Sequence, residues 1–336
     1  MTIFDSYRCP ISGSKLFLKK EGKGSNDSNK ILFSQNKNYK YKIIKDIPHF
    51  VTKEDLQDSD VEALKYYEKE ASIYDEYLPL TFATFEVNEV EIRNQLIELL
   101  KIKKSDRILE IGCGTGRDTE LIAKKLGSDG TLFAQDLSPS MLNLAVSRLA
   151  NTNKETHFSV ANASYLPFPD NFFDSIYHFG GLNTFSDIPR TFSEISRVTK
   201  TGGRVVIGDE SMPLWLRGTE FGEILMNSNP HYKFKIPFEH LPVTARDVCL
   251  RWIIGNVFYA FDFTIGDGPP TANFDFKIPG KRGGTHRSRY FGNLEGVELS
   301  TKKLAYQAQL KSGKSMSKWL TDVVKSAADH ELQKEK

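Results

Sequence analysis

A chain of 336 residues, 39% apolar and 26% charged, is long enough for one large globular domain with appendages, and its composition excludes a disordered or fibrous protein. The formal net charge of +2 marks no polyanionic partner by itself, although residues 15–45 are rich in lysine and 54–98 are mostly acidic. Three widely spaced cysteines (Cys9, Cys113, Cys249) supply no disulfide framework or four-cysteine metal site, and the N-terminus lacks the apolar run of a signal peptide, so a cytoplasmic protein without metal is expected.

In chain order, residues 1–52 begin with YRCPISGSKLFL and end in YKYKIIKDIPHFV, which predicts a small strand-rich unit around a polar loop at Gly22 to Lys30. Residues 53–104 are charged and helical in pattern. From Arg107, short strands (RILEIG, TLFAQD, THFSVA, FDSIYHF, GRVVIGD) alternate with amphipathic segments (DTELIAKKLG, SPSMLNLAVSRLA, IPRTFSEISRVTKTGG). That alternation predicts an α/β, doubly wound, Rossmann-like and mostly parallel sheet with helices on both faces. CLRWII and VFYAFDFTIG around Gly255-Asn256 add a terminal antiparallel hairpin, for seven strands in all. This is also the longest apolar stretch, and Gly255, Asn256 and Asp262 interrupt it, so no membrane span is expected. Beyond Gly268 the chain is rich in proline and glycine, then forms a helical hairpin, with Ser300 and Ser315 as N-caps and Gly313 as a stop. The expected division is 1–52, 53–267 with an insert at 211–245, and 268–336.

The chemistry is concentrated in ILEIGCGTGRD (108–118): a strand, a tight glycine turn and a helix start, which deliver backbone N–H groups to a ligand. A nicotinamide dinucleotide and S-adenosylmethionine (SAM) are the two ligands to weigh. In the dinucleotide fingerprint the third glycine stands three positions after the second and lets helix and strand pack closely. Here the spacing is Gly112-x-Gly114-x-Gly116, with Glu110 just before it. This suits a cationic ligand that also has a carboxylate, and the amino-acid end of SAM has both.

ILEIGCGTG closely resembles the glycine motif of the class I SAM-dependent methyltransferases, and further motifs follow in order over residues 62–210. The resemblance implies that Glu110, Gly112, Cys113, Gly114 and Gly116 surround the cofactor. Asp136 in FAQDLSPSML would receive the ribose hydroxyls, and Leu137 and Met141 would flank the adenine. VANASYLPFPDNFFD matches the segment at the adenine edge. Its acid position is Asn162, a departure in which an amide oxygen would accept from the exocyclic amine, and Ala163 would offer its N–H. YYEKEASIYDEY resembles the N-terminal helix that closes over the cofactor in the menaquinone/ubiquinone-biosynthesis type, with Tyr67 and Tyr74 facing it.

The implied chemistry is in-line displacement from the sulfonium, with orientation supplying much of the barrier reduction. Catalytic candidates are His178 and Glu210, with Asp209 beside them; His178 reads equally as a strand-end histidine and Asp209-Glu210 as a helix cap. His178 and Asn183 are acceptor-side candidates, as are Arg282 and His286 in the basic run KIPGKRGGTHRSR. HFGGLNTF replaces the Asp/Asn-Pro-Pro-aromatic motif of enzymes acting on exocyclic base amines, which disfavours that class and leaves O, S, C or ring-nitrogen acceptors.

The N-terminal unit resembles the zinc-ribbon-like unit that precedes some methyltransferase domains, but Ser12 stands where a second cysteine would be, so no metal is expected. The C-terminal hairpin is similar in pattern to the helix pair of ribbon-helix-helix modules and is expected to serve packing or homo-oligomerisation. The leading expectation is SAM-dependent methyl transfer to a small metabolite, anionic or neutral. The alternatives are an RNA methyltransferase that uses the lysine-rich N-terminal unit, and a SAM-binding, DNA-associated regulator.

Overall fold

The computed structural model describes residues 3–20, 30–34, 39–51, 56–152, 154–281, 283–291 and 297–333. They fall into two compact units, Met1–Pro270 and Thr271–Lys336. The polar loop expected at Gly22 to Lys30 lies outside the described residues except for Lys30.

The first unit starts with an antiparallel sheet in the order β1 (Leu16–Lys20), β2 (Lys30–Ser34), β3 (Lys40–Ile44), β4 (Ile47–Pro48). Two helices follow, α1 (Asp58–Thr84) and α2 (Glu89–Glu98). The alternating part then runs β5 (Arg107–Ile111), α3 (Arg117–Lys125), β6 (Thr131–Asp136), α4 (Pro139–Leu149), β7 (Thr156–Val160), β8 (Phe173–Phe179), α5 (Ile188–Val198) and β9 (Thr199–Glu210). After α6 (Glu220–Ser228) the chain closes on the hairpin β10 (Ala245–Ile253) and β11 (Phe258–Ile265). The seven strands lie in the order β10-β11-β9-β8-β5-β6-β7. β5 to β9 are parallel neighbours and β11 joins β9 antiparallel, as the Rossmann-like pattern predicted.

The sheet reverses its winding between β5 and β8, and ligands of such sheets sit outside the carboxyl ends of the strands at that point. β5 is buried on both faces (Ile108, Leu109, Ile111), as a central parallel strand must be. The opposite edge, β7, is not left open. Phe50 N donates to Val160 O at 2.8 Å, and Tyr7 packs on Phe50, Phe133 and Phe168 with ring centroids 5.0–6.0 Å apart. The core of the N-terminal sheet and that of the large sheet are therefore one cluster, and the edge has a covering partner. Cys9 is buried there, its sulfur 3.2 Å from the Tyr41 hydroxyl.

One boundary differs from expectation. The segment TKTGG does not extend α5 but opens β9, because Thr199 pairs with Phe173 of β8 while its hydroxyl donates to Ile195 O and closes the helix.

Gly116 stands at the N-terminus of α3 with φ +81°, and a Cβ built there meets the Cα and Cβ of Ala145 on α4 at 3.0 Å. Gly116→Ala is therefore expected to destabilise the protein by about 1–3 kcal/mol through overpacking, read as a lower midpoint in urea at unchanged m value.

In the second unit, α7 (His286–Phe291) precedes the hairpin of α8 (Leu299–Ser312) and α9 (Met316–Gln333). Gly313 ends α8 in a left-handed conformation, and the Ser315 hydroxyl accepts from Lys318 N at 3.3 Å. Ser300 is not the cap of α8: the helix begins one residue earlier, after Glu298. No helix among the described residues is long and apolar enough to cross a membrane.

Candidate functional site

The cleft lies over the carboxyl end of β5. At Gly112 the chain turns with φ +62°, and a Cβ there would stand 3.3 Å from Cε1 of His178. Gly114 N donates to Asp136 Oδ2 at 2.8 Å, and Ser138 N donates to Asp136 Oδ1 at 2.9 Å. The Asp136 carboxylate thus ties together the turns after β5 and β6. Burial pushes its pKa up, while these backbone N–H groups work to hold it down.

Helix α1 roofs the cleft. Asp60, Tyr67 and Tyr74, seven residues apart, line it together with Ala63 and Leu78, so one stripe of the helix faces inward. Three carboxylates fasten the helix down. Asp60 Oδ2 accepts from Asn162 Nδ2 at 3.1 Å and from the Ser186 hydroxyl at 2.8 Å. Glu68 accepts from the hydroxyls of Ser138 and Ser140 and from Ser140 N, at the start of α4. Asp75 accepts from the Thr115 hydroxyl at 2.7 Å and pairs with Arg117 and Arg148. Burial raises the pKa of Tyr67 well above normal and that of Tyr74 to about 12, so both face the cleft as neutral phenols.

The inner wall is charged. Arg93 of α2, nine-tenths buried, donates to Glu89 Oε1 at 2.8 Å and to Asp118 Oδ2 at 2.5 Å, beneath the rings of Phe82 and Phe179. Glu110 is buried beside it; burial and the nearby Asp118 push its pKa far up. Glu110 Oε2 and Gln135 Oε1 are buried without a hydrogen-bond partner. Orphaned acceptors of this kind lose free energy unless a donor group meets them, so the cleft fits a ligand that brings hydrogen-bond donors.

Of the cofactor residues expected from sequence, Tyr67, Tyr74, Glu110, Gly112, Cys113, Gly114, Asp136, Leu137, Met141, Asn162 and Ala163 all line this one cleft. Gly116 does not; it serves the packing of α3 on α4. Asn162 is already engaged within the protein. Its Nδ2 is engaged by Asp60 and its Oδ1 already accepts from Ser164 N at 2.9 Å. The roof places the Asp60 carboxylate against Asn162 on the wall of the cleft.

His178 does not fit a catalytic or acceptor-binding role. Its ring lies beneath the glycine turn, fully buried, with Nδ1 2.8 Å from Ile111 O, and burial drives its pKa down to about 4. It is a neutral spacer that shapes Gly112. Asn183 and Glu210 stand beside the cleft without lining it. Asn183 Nδ2 donates to Glu210 O, and the Glu210 carboxylate takes Asn229 Nδ2 and His231 Nδ1, each at 2.9 Å. Of the two basic-run residues, Arg282 lies outside the described residues and His286 is an exposed first residue of α7 in the second unit.

Sequence reasoning missed Asp60, Arg93 and Asp118 as lining residues. The seven-residue spacing back from Tyr67 was a usable signal for Asp60; Arg93 had none, since nothing local distinguishes it from any helical arginine.

Asp209, at the end of β9, holds the loop that forms the cleft's rim by accepting from Gly181 N at 3.0 Å and Asn183 N at 2.7 Å. Burial and the adjacent Glu210 push its pKa up to about 7. The folded state therefore keeps a proton that the unfolded state releases above its ordinary value of about 3.9. The contribution is fully present below that value and is lost as pH rises through about 7, at up to about 1.4 kcal/mol per pH unit. Denaturant titrations from pH 4 to 8 are expected to show this fall in wild type, and a flatter profile in Asp209→Asn.

Comparison with known proteins agrees with this geometry. Residues 108–203 match the family model described as "Methyltransferase domain". Residues 108–203 are a methyltransferase domain. The demethylmenaquinone methyltransferase of Symbiobacterium thermophilum is 38% identical over 113 residues, 33% of this chain and 45% of that protein. The ubiquinone/menaquinone biosynthesis C-methyltransferase of Teredinibacter turnerae is 34% identical over 119 residues, 35% of this chain and 48% of that one. The chain thus spans about half the length of these relatives. Among solved structures, phosphoethanolamine N-methyltransferase 2 of Haemonchus contortus has a TM-score of 0.47 at 14% identity, covering 60% of each chain. The methyltransferase domain contributes the glycine turn, Asp136 and Asn162-Ala163. The roof α1 and Arg93 come from residues before the matched segment.

Proposed function

We propose that the protein transfers a methyl group from SAM to a small, planar, hydroquinone-like acceptor. The donor half rests on one observation: buried acceptors without partners, Glu110 Oε2 and Gln135 Oε1, stand at a glycine turn. These oxygens would meet the cationic end of the cofactor and Arg93 its carboxylate. Asp136 would take the ribose hydroxyls, and Asp60 with Asn162 and Ala163 the adenine edge. When bound, SAM supplies an electrophilic methyl on a sulfonium, so alignment and exclusion of water are what the protein must add.

The residues at the rim suit that task. Tyr67, Tyr74, Phe179 and Phe185 line the cleft with aromatic rings, and the Tyr67 hydroxyl lies by Gly181. As neutral phenols the tyrosines orient by donating hydrogen bonds and do not remove protons. Asp209 holds Gly180–Thr184 in position against them. The names of the similar proteins, which act in quinone biosynthesis, favour a hydroquinone as acceptor.

The test is radiolabelled SAM offered with 1,4-dihydroxynaphthalene and, separately, with total RNA. Label is expected in the organic extract. Label in RNA and none in the naphthol would overturn the acceptor half and leave the donor half standing.

A further inference from the structure

The aromatic part of the cleft has no side chain, among the described residues that line it, that takes up a proton near neutral pH. Tyr67 and Tyr74 are neutral phenols, and His178 is sealed beneath the glycine turn. Asp209, behind the rim, is fully buried with both oxygens engaged by Gly181 N and Asn183 N. Glu210, the last residue of β9, leads to a group that can. Its carbonyl accepts from Asn183 Nδ2 of the rim loop at 2.9 Å. After burial, its charge helps to raise the pKa of both Tyr67 and Tyr74. Its carboxylate meets Asn229 Nδ2 and His231 Nδ1, each at 2.9 Å. A carboxylate can only accept, so Nδ1 carries the hydrogen and Nε2 is left with a lone pair. That Nε2 has no partner among the described residues, and the side chain is 45% exposed.

The ring is held in place. Asn229 Oδ1 accepts from His231 N at 3.0 Å, Met212 N donates to Tyr232 O at 2.9 Å, and Phe234 packs on the imidazole at 5.6 Å between centroids. Glu210 and Asp209 face it from β9, with the neutral Tyr67 and Tyr74 of α1 beyond Glu210 and the neutral Tyr232 next in the chain. The Arg217 guanidinium is turned away to Met212 O and Phe234 O. The hydrogen bond to Glu210 raises the His231 pKa above its usual 6.5 against the effect of burial, and the charges of Glu210 and Asp209 add to it. That is the range in which a base serves best at neutral pH.

We propose that His231 is the catalytic base for the hydroquinone-like acceptor, taking its hydroxyl proton at Nε2, and that Glu210 is the positioning residue that holds the imidazole in this tautomer. The inference rests on the acceptor reading given above. The O–H bond breaks, its proton goes to Nε2, and the freed electron pair is shared into the ring. The neighbouring ring carbon forms the C–CH3 bond as the S–CH3 bond breaks and its electron pair stays on sulfur. That carbon then loses its own proton to water while His231 returns the first proton to the oxygen. One proton is released per turnover and the base is regenerated.

Methyl transfer from SAM to 1,4-dihydroxynaphthalene, followed from pH 5 to 9, is the test. In wild type kcat is expected to rise with pH through a value above 6.5 and then level, because only the neutral imidazole accepts the proton. His231→Ala is expected to lose about 100-fold or more in kcat, with KM and SAM affinity little changed. It should also lose that limb of the profile and recover activity on addition of imidazole. Glu210→Gln should move the limb to lower pH. A second readout needs no turnover: the His231 ring resonances, followed by NMR with S-adenosylhomocysteine bound, should shift on addition of 1,4-dihydroxynaphthalene. A wild type that methylates none of it would overturn the acceptor reading and the base with it. With an active wild type, the base alone is overturned if His231→Ala keeps its rate, if imidazole restores none of the lost rate, or if the His231 resonances ignore the acceptor.

Discussion

Gly112→Ala is expected to weaken SAM binding by about 100-fold or more while leaving the chain folded, because the substitution strikes the floor of the cleft. A non-glycine residue in the left-handed region costs about 1–2 kcal/mol, and Gly112 has φ +62°. The added Cβ would also press on His178 Cε1 at 3.3 Å, and that ring has no room to yield. Its Nδ1 is fixed to Ile111 O and its ring packs at a tilt against Phe185, 5.0 Å between centroids. The backbone of Gly112–Gly114 must move instead, and with it the N–H that Asp136 holds. Removing the obstacle should restore part of the affinity, so Gly112→Ala/His178→Ala is expected to bind more tightly than Gly112→Ala alone. Calorimetry on the three variants checks this. Wild-type affinity in Gly112→Ala would show that the turn does not carry the ligand.

Arg93→Ala is expected to lower stability by about 3–5 kcal/mol, the largest effect on folding of any single change near the cleft. The guanidinium is buried and answers two carboxylates, Asp118 at 2.5 Å and Glu89 at 2.8 Å. Burial works against its charge, but Asp118 and Glu89 keep it firmly protonated. Without it, Asp118 would stay buried beside Glu110, two acids whose pKa values burial already raises. The loss should be smaller at low pH, where protonation of that pair removes the unpaired charge; equal losses at pH 5 and pH 8 would contradict this account. Arg93→Lys should recover only part, since an ammonium lacks the fork that reaches Glu89 and Asp118 together. If Arg93 also meets the cofactor carboxylate, the variant should lose affinity for S-adenosylhomocysteine far more than for 5′-methylthioadenosine, which has no carboxylate.

The central sheet was legible because its signals are local. Each strand from RILEIG to GRVVIGD is short, rich in branched apolar residues and bounded by turn residues, and each lies where its pattern put it. The glycine turn was equally legible: spacing and one preceding acid separated a SAM-type turn from a dinucleotide one. What escaped was set by contacts across long stretches of chain. Asp60 reaches Asn162 over about a hundred residues, and Arg93 reaches Asp118 from a helix whose pattern shows only a charged surface. The two readings of His178 stayed open for the same reason. A histidine at the end of a parallel strand looks available for chemistry, yet only the fold reveals that the glycine turn after the neighbouring β5 covers it. TKTGG read as the tail of an amphipathic helical segment, whereas pairing of Thr199 with Phe173 opens a strand there.

Titration calorimetry of the purified full chain with S-adenosylhomocysteine, SAM and NAD tests the central claim most directly. The account predicts saturable binding of SAM and S-adenosylhomocysteine at one site per chain, sharply weakened by Asp136→Ala, and no binding of NAD. Binding of NAD with none of SAM or S-adenosylhomocysteine would contradict it.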